Sequence, residues 1–300
     1  MPEVSIGMPV FNDIMFVEKA IVSILNQSFG DFELLLSDDC SGDGSAEVCK
    51  RYALTDSRVK YIRHDANIGI SKNMEFLLKK GTGKYFMWAA NDDVWDKDFV
   101  RILKENLEND QNAVSSFCAY AQVDENDNYI SGREFIIEDY TDTVKSRRIR
   151  KLIRQPGDGF GYGLFVREKI IGVKFPTWWW VNRKCAYNNI YPTLCFYLAK
   201  GGYVIHKEKV LWFNRIKKEE NINHKIPFTD SFIKCYSAFA LRKFNLVCFS
   251  LASVIKADKE ILTAVKVLPA MFFSWFIVPV FLNPVKRYRA FRNGEFNSFI

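Results

Sequence analysis

Between Val4 and Trp95 the chain alternates short apolar runs with stretches of helical spacing, and this alternation constrains its fold more than any other feature. The runs fall at residues 4–10, 32–36, 59–63 and 85–89, and stretches 14–26, 45–54 and 70–80 lie between them. In the first stretch Phe16, Ala20, Ile21, Ile24 and Leu25 recur at helical intervals. Strands alternating with helices of about ten residues predict βαβ units and a parallel sheet with helices on both faces. Such sheets bind ligands at the carboxyl ends of their strands. Each run here leads into a polar cluster, at residues 9–12, 38–39, 67–69 and 91–93. Turn chemistry alone would scatter polar residues over both ends of the strands.

The sharpest of these clusters ends the aromatic run Lys84-Tyr85-Phe86-Met87-Trp88-Ala89-Ala90, which passes into Asn91-Asp92-Asp93. Adjacent carboxylates at the mouth of a sheet suit Mg²⁺, which binds through one or two carboxylates and substrate phosphates. The plainer alternative is a strand end followed by a helix over 97–109 with Asp96 as its cap. Glycine-rich phosphate fingerprints are missing, since neither G-x-G-x-x-G after the first run nor G-x-x-x-x-G-K-[ST] occurs. Diphosphate charge would then be met by a metal and by cations such as Lys72. The glycines of stretch 157–163 predict a loop with close backbone packing rather than a phosphate cradle.

Taken in order, these segments resemble the family 2 glycosyltransferases, which have the GT-A fold. Ser5-Ile6-Gly7-Met8-Pro9-Val10-Phe11-Asn12 looks like that family's opening strand. Leu36-Ser37-Asp38-Asp39-Cys40-Ser41-Gly42-Asp43-Gly44-Ser45 is similar to its acidic second loop, and Asn67-Ile68-Gly69-Ile70-Ser71-Lys72-Asn73 to its third. Gly81-Thr82-Gly83-Lys84-Tyr85 followed by Asp92-Asp93 resembles its metal-bearing strand end. The likeness is specific over residues 4–95 and weaker to about 215. It implies that Pro9 and Phe11 line a nucleoside pocket and that Asp39 bonds the base. Asn67 and Asn91 join these donor-binding residues, Lys72 lies near the diphosphate, and Asp92 ligates Mg²⁺ or Mn²⁺. One position departs from the family's Asp-x-Asp: Ala90 replaces the first carboxylate. Either Asn91 and Asp93 compensate, or the metal binds mainly through the donor's phosphates.

Downstream, 113–123 and 129–137 predict a hairpin, 191–200 a helix, and 210–215 the last strand of the family-like core. An inverting member of the family needs a general base, which the resemblance places in a carboxylate pair before the helix that ends at Gly201-Gly202. No Asp or Glu occurs between Glu168 and Glu208, where the chain carries Trp178-Trp179-Trp180 instead. Asp158, upstream in the glycine-rich loop, is the substitute candidate, and Asp93 is a second.

The sequence of 300 residues is 48% hydrophobic, enough for a large core, and its formal charge is +7. That mild excess suits an anionic substrate or membrane surface, and no nucleic-acid motif accompanies it. Seven scattered cysteines without a Cys-x-x-Cys pair argue against a disulfide framework or zinc site. Stretch 143–154 carries six basic residues and no acid, consistent with a solvated helix face or with contact to phosphate or anionic lipid. Residues 217–225 predict a linker and 231–255 an apolar helix. The nearly uncharged stretch 267–285 is interrupted by Pro269, Pro279 and Pro284, and Lys286, Arg287, Arg289 and Arg292 follow. This pattern points to an interfacial segment on an anionic leaflet, against the alternative of a packed helical pair.

The expectation is an α/β protein of GT-A type, with a Rossmann-like, mostly parallel sheet flanked by helices. A glycosyltransferase domain over 1–216 and a helical, membrane-associated region over 217–300 are expected. The activity implied is transfer, with inversion in the family's manner, of a sugar from a nucleotide diphosphate sugar, UDP-linked by preference. The acceptor would be a growing glycan or glycolipid of cell-surface polysaccharide biosynthesis. No signal peptide opens the sequence, so the expected location is the cytoplasmic, inner face of the cell membrane. The rival expectation is a non-catalytic nucleotide-sugar-binding or scaffold subunit of a glycan assembly complex.

Overall fold

The computed structural model describes residues 1–154, 159–175, 190–217, 232–258 and 261–281. In chain order the first half comprises β1 (Val4–Val10), α1 (Val17–Leu25), β2 (Phe32–Asp38), α2 (Ser45–Thr55), β3 (Val59–Arg63), α3 (Ile70–Lys80) and β4 (Tyr85–Trp88). Then come β5 (Val94–Trp95), α4 (Phe99–Asn109), β6 (Ala113–Val123), β7 (Tyr129–Phe135), α5 (Lys145–Arg154) and a 3₁₀ turn (Gly159–Tyr162). The remainder is β8 (Leu164–Val166), α6 (Arg167–Ile170), α7 (Ile190–Lys200), β9 (Gly202–Arg215), α8 (Phe232–Asp258), α9 (Ile261–Met271), a π-helical turn (Phe272–Ile277) and α10 (Val278–Phe281).

The strands form one sheet in the order β3-β2-β1-β4-β8-β6-β9-β5, with β7 paired to β6. Strands β1 to β4 are mutually parallel, so their carboxyl ends share one edge. β8 runs antiparallel to both β4 and β6, and joins this half to a mixed half in which β6 and β9 are parallel. β1, β2 and β4 are buried almost throughout, as expected of central parallel strands covered on both faces. At their amino edge Gly83 lies against the β1 backbone, where a Cβ would stand 2.7 Å from the Ser5 nitrogen. A side chain there would force β4 away from β1. Gly163 serves β8 in the same way: a Cβ would meet the Ser116 carbonyl oxygen at 2.5 Å. The described part of the glycine-rich loop is thus close backbone packing, as its sequence predicts.

Three expectations are corrected. The first helix starts at Val17, not near residue 14, because Asp13–Phe16 fold as a turn in which the Asp13 carbonyl accepts the Phe16 and Val17 N–H groups. The fourth helix is preceded by Asp98 at its cap position rather than by Asp96; the Asp96 side chain accepts the Asp98 N–H. The last strand spans Gly202–Arg215, more than twice the expected length. Its first half, with His206, Lys207, Glu208 and Lys209, is polar enough to hide it.

Beyond the sheet, α8 packs on α7 and α9 packs on α5 and α8. Val254, Val267 and Met271 belong to the same buried core as the sheet residues. Among the described residues, no helix is long and apolar enough to cross a membrane. Lys286, Arg287, Arg289 and Arg292 lie outside the described residues, as do Asp158 and the Trp178–Trp180 run.

Candidate active site

The loops after β1, β2, β3 and β4 build one constellation at the carboxyl edge of the parallel strands. After β1 the chain turns through Asn12, which has a left-handed backbone (φ 47°). Its N–H donates to Ser41 Oγ at 3.0 Å, and its Oδ1 accepts the Gly42 N–H at 2.8 Å. Next to it, Asp13 N–H donates to Ser45 Oγ and Ile14 N–H to Asp43 Oδ2, both at 2.9 Å. The first two loops therefore hold each other in place. Buried Asp38 shapes the second loop by accepting Ser41 N–H, the Tyr61 hydroxyl and Arg63 Nη1. Burial alone would raise its carboxyl; hydrogen bonds from Ser41 and Tyr61 and the Arg63 charge outweigh that and lower it. Cys40 adopts φ 66°, a costly conformation for a side-chain-bearing residue that recurs at functional sites.

Between these two residues sits Asp39, only 3% exposed. Its Oδ1 accepts Ile68 N–H at 2.6 Å and its Oδ2 accepts Gly69 N–H at 2.9 Å, which ties the third loop to the second. Pro9 and Asn67 are half-buried near this tie, and Phe11 is 47% exposed at the end of β1. Lys72 stands exposed on the first turn of α3.

The fourth loop contributes Asn91 and Asp92, both half-buried, and Asp93, which is 1% exposed. Asp92 Oδ2 lies 2.9 Å from Lys217 Nζ. The same ammonium donates to Asp13 Oδ2 at 2.8 Å. Two carboxylates from loops 1 and 4 thus converge on one cation. The second acidic group facing that ammonium is Asp13, from a different loop than Ala90 and Asp92. Asp93 turns the other way, accepting Trp212 Nε1–H at 3.0 Å, Asn214 Nδ2–H at 3.2 Å and Arg215 N–H at 2.8 Å. Burial first, and the Asp92 charge second, push its carboxyl well above the ordinary range. Arg215 lies behind the pair with a side chain fully shielded from solvent. Its Nε donates to the Asp92 carbonyl at 2.7 Å, its Nη1 to the Asp124 carbonyl, and its guanidinium pairs with Asp127. The Phe16 ring lies under both cations, 4.7 Å from Arg215 and 5.3 Å from Lys217.

The structure therefore brings Pro9, Phe11, Asp39, Asn67, Asn91 and Asp92 to one edge of the sheet. It adds Asp13, Arg215 and Lys217, which sequence reasoning took as a turn, a strand end and a linker. Only the place of Asp13 next to the polar cluster 9–12 at the end of β1 hinted at a role. Its partner Lys217 lies 204 residues away, beyond any local spacing signal. Asp13 and Asp92 offer the oxygen donors that a hard cation takes, and in this structure they share the Lys217 ammonium; among the described residues no group of three or more His, Cys, Asp or Glu side chains is placed to hold a metal ion.

A sequence profile for glycosyl transferase family 2 matches residues 5–187, and the chain belongs to that family. WcaA of Escherichia coli (strain K12), named for colanic acid biosynthesis, is 29% identical over 62% of this chain and 61% of its own. TuaG of Bacillus subtilis (strain 168), named for teichuronic acid biosynthesis, is 31% identical over 32% of this chain and 38% of its own. The chain spans less than two thirds of the curated relatives it matches first. Among solved structures, S. aureus TarS 1-349 in complex with UDP-GlcNAc superposes with a TM-score of 0.60 at 14% identity, over 99% of this chain and 80% of that one. The mannosyltransferase PcManGT of Pyrobaculum calidifontis, in complex with GDP-Man and Mn²⁺, gives 0.53 at 16% identity, over 99% and 84%. These likenesses show the GT-A fold.

Proposed function

We propose that the protein transfers a sugar from a nucleotide diphosphate sugar, preferably UDP-linked, to a glycan or lipid-linked glycan of cell-surface polysaccharide. The observation that carries this reading is the placement of Asp39, bonded to the third loop, and of Asp13 and Asp92, on one ammonium, along the carboxyl edge of β1, β2 and β4. Family membership and the names of WcaA and TuaG support the polysaccharide, and the UDP-GlcNAc complex of TarS supports the donor. Pro9 and Phe11 would flank the nucleoside, and Asp39 would bond the base from a loop already fixed by Ile68 and Gly69. Asp92, with Asp13 facing it, would hold Mg²⁺ or Mn²⁺. Such an ion neutralises charge developing on a leaving diphosphate. Lys217, now on Asp13 and Asp92, would supply positive charge for the phosphates together with Lys72. Arg215 and Asp93 would position the Asp92 loop against β9 through their bonds to each other and to the Asp92 carbonyl. Asp158 remains the proposed general base for inversion at the anomeric carbon. Residues 1–216, with Lys217 at their boundary reaching back to the site, would form the transferase unit, and residues 217–300 would bring it to the inner face of the membrane where a lipid-linked acceptor is presented.

A second reading, a nucleotide-sugar-binding subunit without catalysis, is favoured by one observation. The Asp93 carboxylate, one of the two candidate bases, is fully engaged by Trp212, Asn214 and Arg215. Incubation of the pure protein with a panel of UDP-sugars and Mn²⁺ separates the two readings. Slow UDP release that falls at least about 10²-fold in Asp158→Asn supports transfer chemistry. Nucleotide-sugar binding with no UDP release from any donor supports the subunit.

A further inference from the structure

The surface of α9 and the π-helical turn after it is apolar on both sides. One side, with Ala264, Val267, Met271 and Trp275, is buried against the protein. The other carries Ile261, Val265, Leu268, Phe272 and Phe273, exposed by 67, 56, 40, 37 and 57%. Spacings of four, three and four residues from Ile261 to Phe272 put them on a single stripe. Monomeric proteins seldom leave so contiguous a patch bare unless it meets a partner or a membrane.

Directly beside this stripe runs α5. Arg150 Nη2 donates to the Lys266 carbonyl of α9 at 2.6 Å, which fixes the two helices side by side. α5 contains six basic residues and no acidic one. Arg148 alone is turned deep inside, bonded to the Leu198 and Asp142 carbonyls. Arg147, Arg150, Lys151 and Arg154, at helical spacings of three, one and three, line a cavity of about 350 Å³. Arg147 keeps 68% of its side chain in solvent, and its nearest acidic partner, Asp142, stands 3.7 Å away.

We infer that the exposed stripe of α9 and the cationic row of α5 form one face that seats the protein on an anionic lipid bilayer. The apolar side chains enter the acyl boundary while the arginines meet lipid phosphates in the headgroup layer. Charge complementarity selects this occupant. A second copy docked on the same stripe would bring two cationic rows together, and an apolar protein partner would leave the row without a counter-charge. The face shares Leu268, Phe272 and Phe273 with the apolar stretch 267–285 of the sequence argument, but it draws its cations from α5 rather than from the basic cluster at residues 286–292. The inference rests on the proposed reading only in that a lipid-linked acceptor gives such a face its use.

The test is flotation of the full chain with phosphatidylcholine vesicles, alone or mixed with phosphatidylglycerol, at low and high salt. Two variants are compared: Leu268→Glu with Phe273→Glu, and Arg147→Glu with Arg154→Glu. Arg150 and Lys151 are left alone because each holds a backbone carbonyl. The inference expects wild type to float with anionic vesicles, less so at high salt, and each variant to bind at least about tenfold more weakly. The thermal shift given by UDP with Mn²⁺ should be the same in all three proteins, which shows that the variants fold. Wild type that ignores anionic vesicles, or variants that float like wild type, would overturn the inference while leaving the donor site untouched. A lipid-independent dimer dissolved by the apolar variant would also overturn it, in favour of a protein contact. Loss of the nucleotide response in wild type would instead count against the proposed function alone.

Discussion

Glu33 and Asp93 are both buried carboxylates, placed at opposite ends of the sheet and held by opposite balances of force. Glu33, at the amino edge, accepts the Ser5 hydroxyl at 2.6 Å, the Thr82 N–H and hydroxyl, and Lys60 Nζ at 2.6 Å. Burial would raise its carboxyl, but the bonds from Lys60, Ser5 and Thr82 prevail and hold it down to about 2 from an ordinary 4.5. Its folded value lies below its unfolded one, so its contribution to stability is complete above 4.5 and is lost as pH falls through 2. Glu33→Gln should therefore lower stability by about 2 kcal/mol at neutral pH. Melting of the two proteins followed from pH 7 downward should show the gap closing below pH 4.5. A gap that is constant with pH would show that Glu33 acts through shape alone. Among the described residues Asp93 forms no ion pair, and it has Asp92 as its neighbour, so burial wins there and its carboxyl rises. That contrast fits Glu33 as a structural tie and Asp93 as a positioning group beside the site.

At the scale of elements, β8 depends on a close approach that only glycine permits. At Gly163 an added Cβ would lie 2.5 Å from the Ser116 carbonyl oxygen and 2.7 Å from Ser115 Oγ, whereas at Gly30 nothing stands within 4 Å. Gly163→Ala should thus cost about 1–3 kcal/mol by prying β8 from β6, and Gly30→Ala well under 1 kcal/mol. Denaturant titration of both variants checks this, and equal midpoints would refute it. The same elements show what a sequence can reveal. β3 and α3 end where their apolar periodicity and flanking glycine say they should, because local spacing decides both. β9 was half hidden because its pairing with β6 supplies the order that its polar residues 206–209 do not advertise. The two-residue β5 exists only because Val94 and Trp95 pair with Phe213 and Trp212. Asp39 and Asp92 were legible as acidic strand ends, but the partnership of Asp13 with Lys217 was not, since only the closed sheet brings loop 1 to the end of β9.

For the whole molecule, the parallel half of the sheet supplies the proposed donor edge and the mixed half supplies its backing. Arg215, from the last residue of β9, holds the Asp92 loop, so the site is complete only when the chain has folded as far as residue 217. The C-terminal helices extend the same core through Val254, Val267 and Met271, and present their remaining apolar side outward. The proposed activity therefore has its donor edge and its membrane face on separate parts of one folded body. The central claim is that the carboxyl edge of β1, β2 and β4 is a nucleotide-sugar site built on Asp39 and Asp92. Calorimetric titration of UDP into wild type, Asp39→Ala and Asp92→Ala, each with and without Mn²⁺, tests it most directly. The account predicts that wild type binds UDP more tightly with Mn²⁺, that Asp39→Ala loses at least about tenfold in affinity under both conditions, and that Asp92→Ala loses the Mn²⁺ enhancement. Wild type that does not bind UDP, or folded variants that bind it as wild type does, would contradict the account.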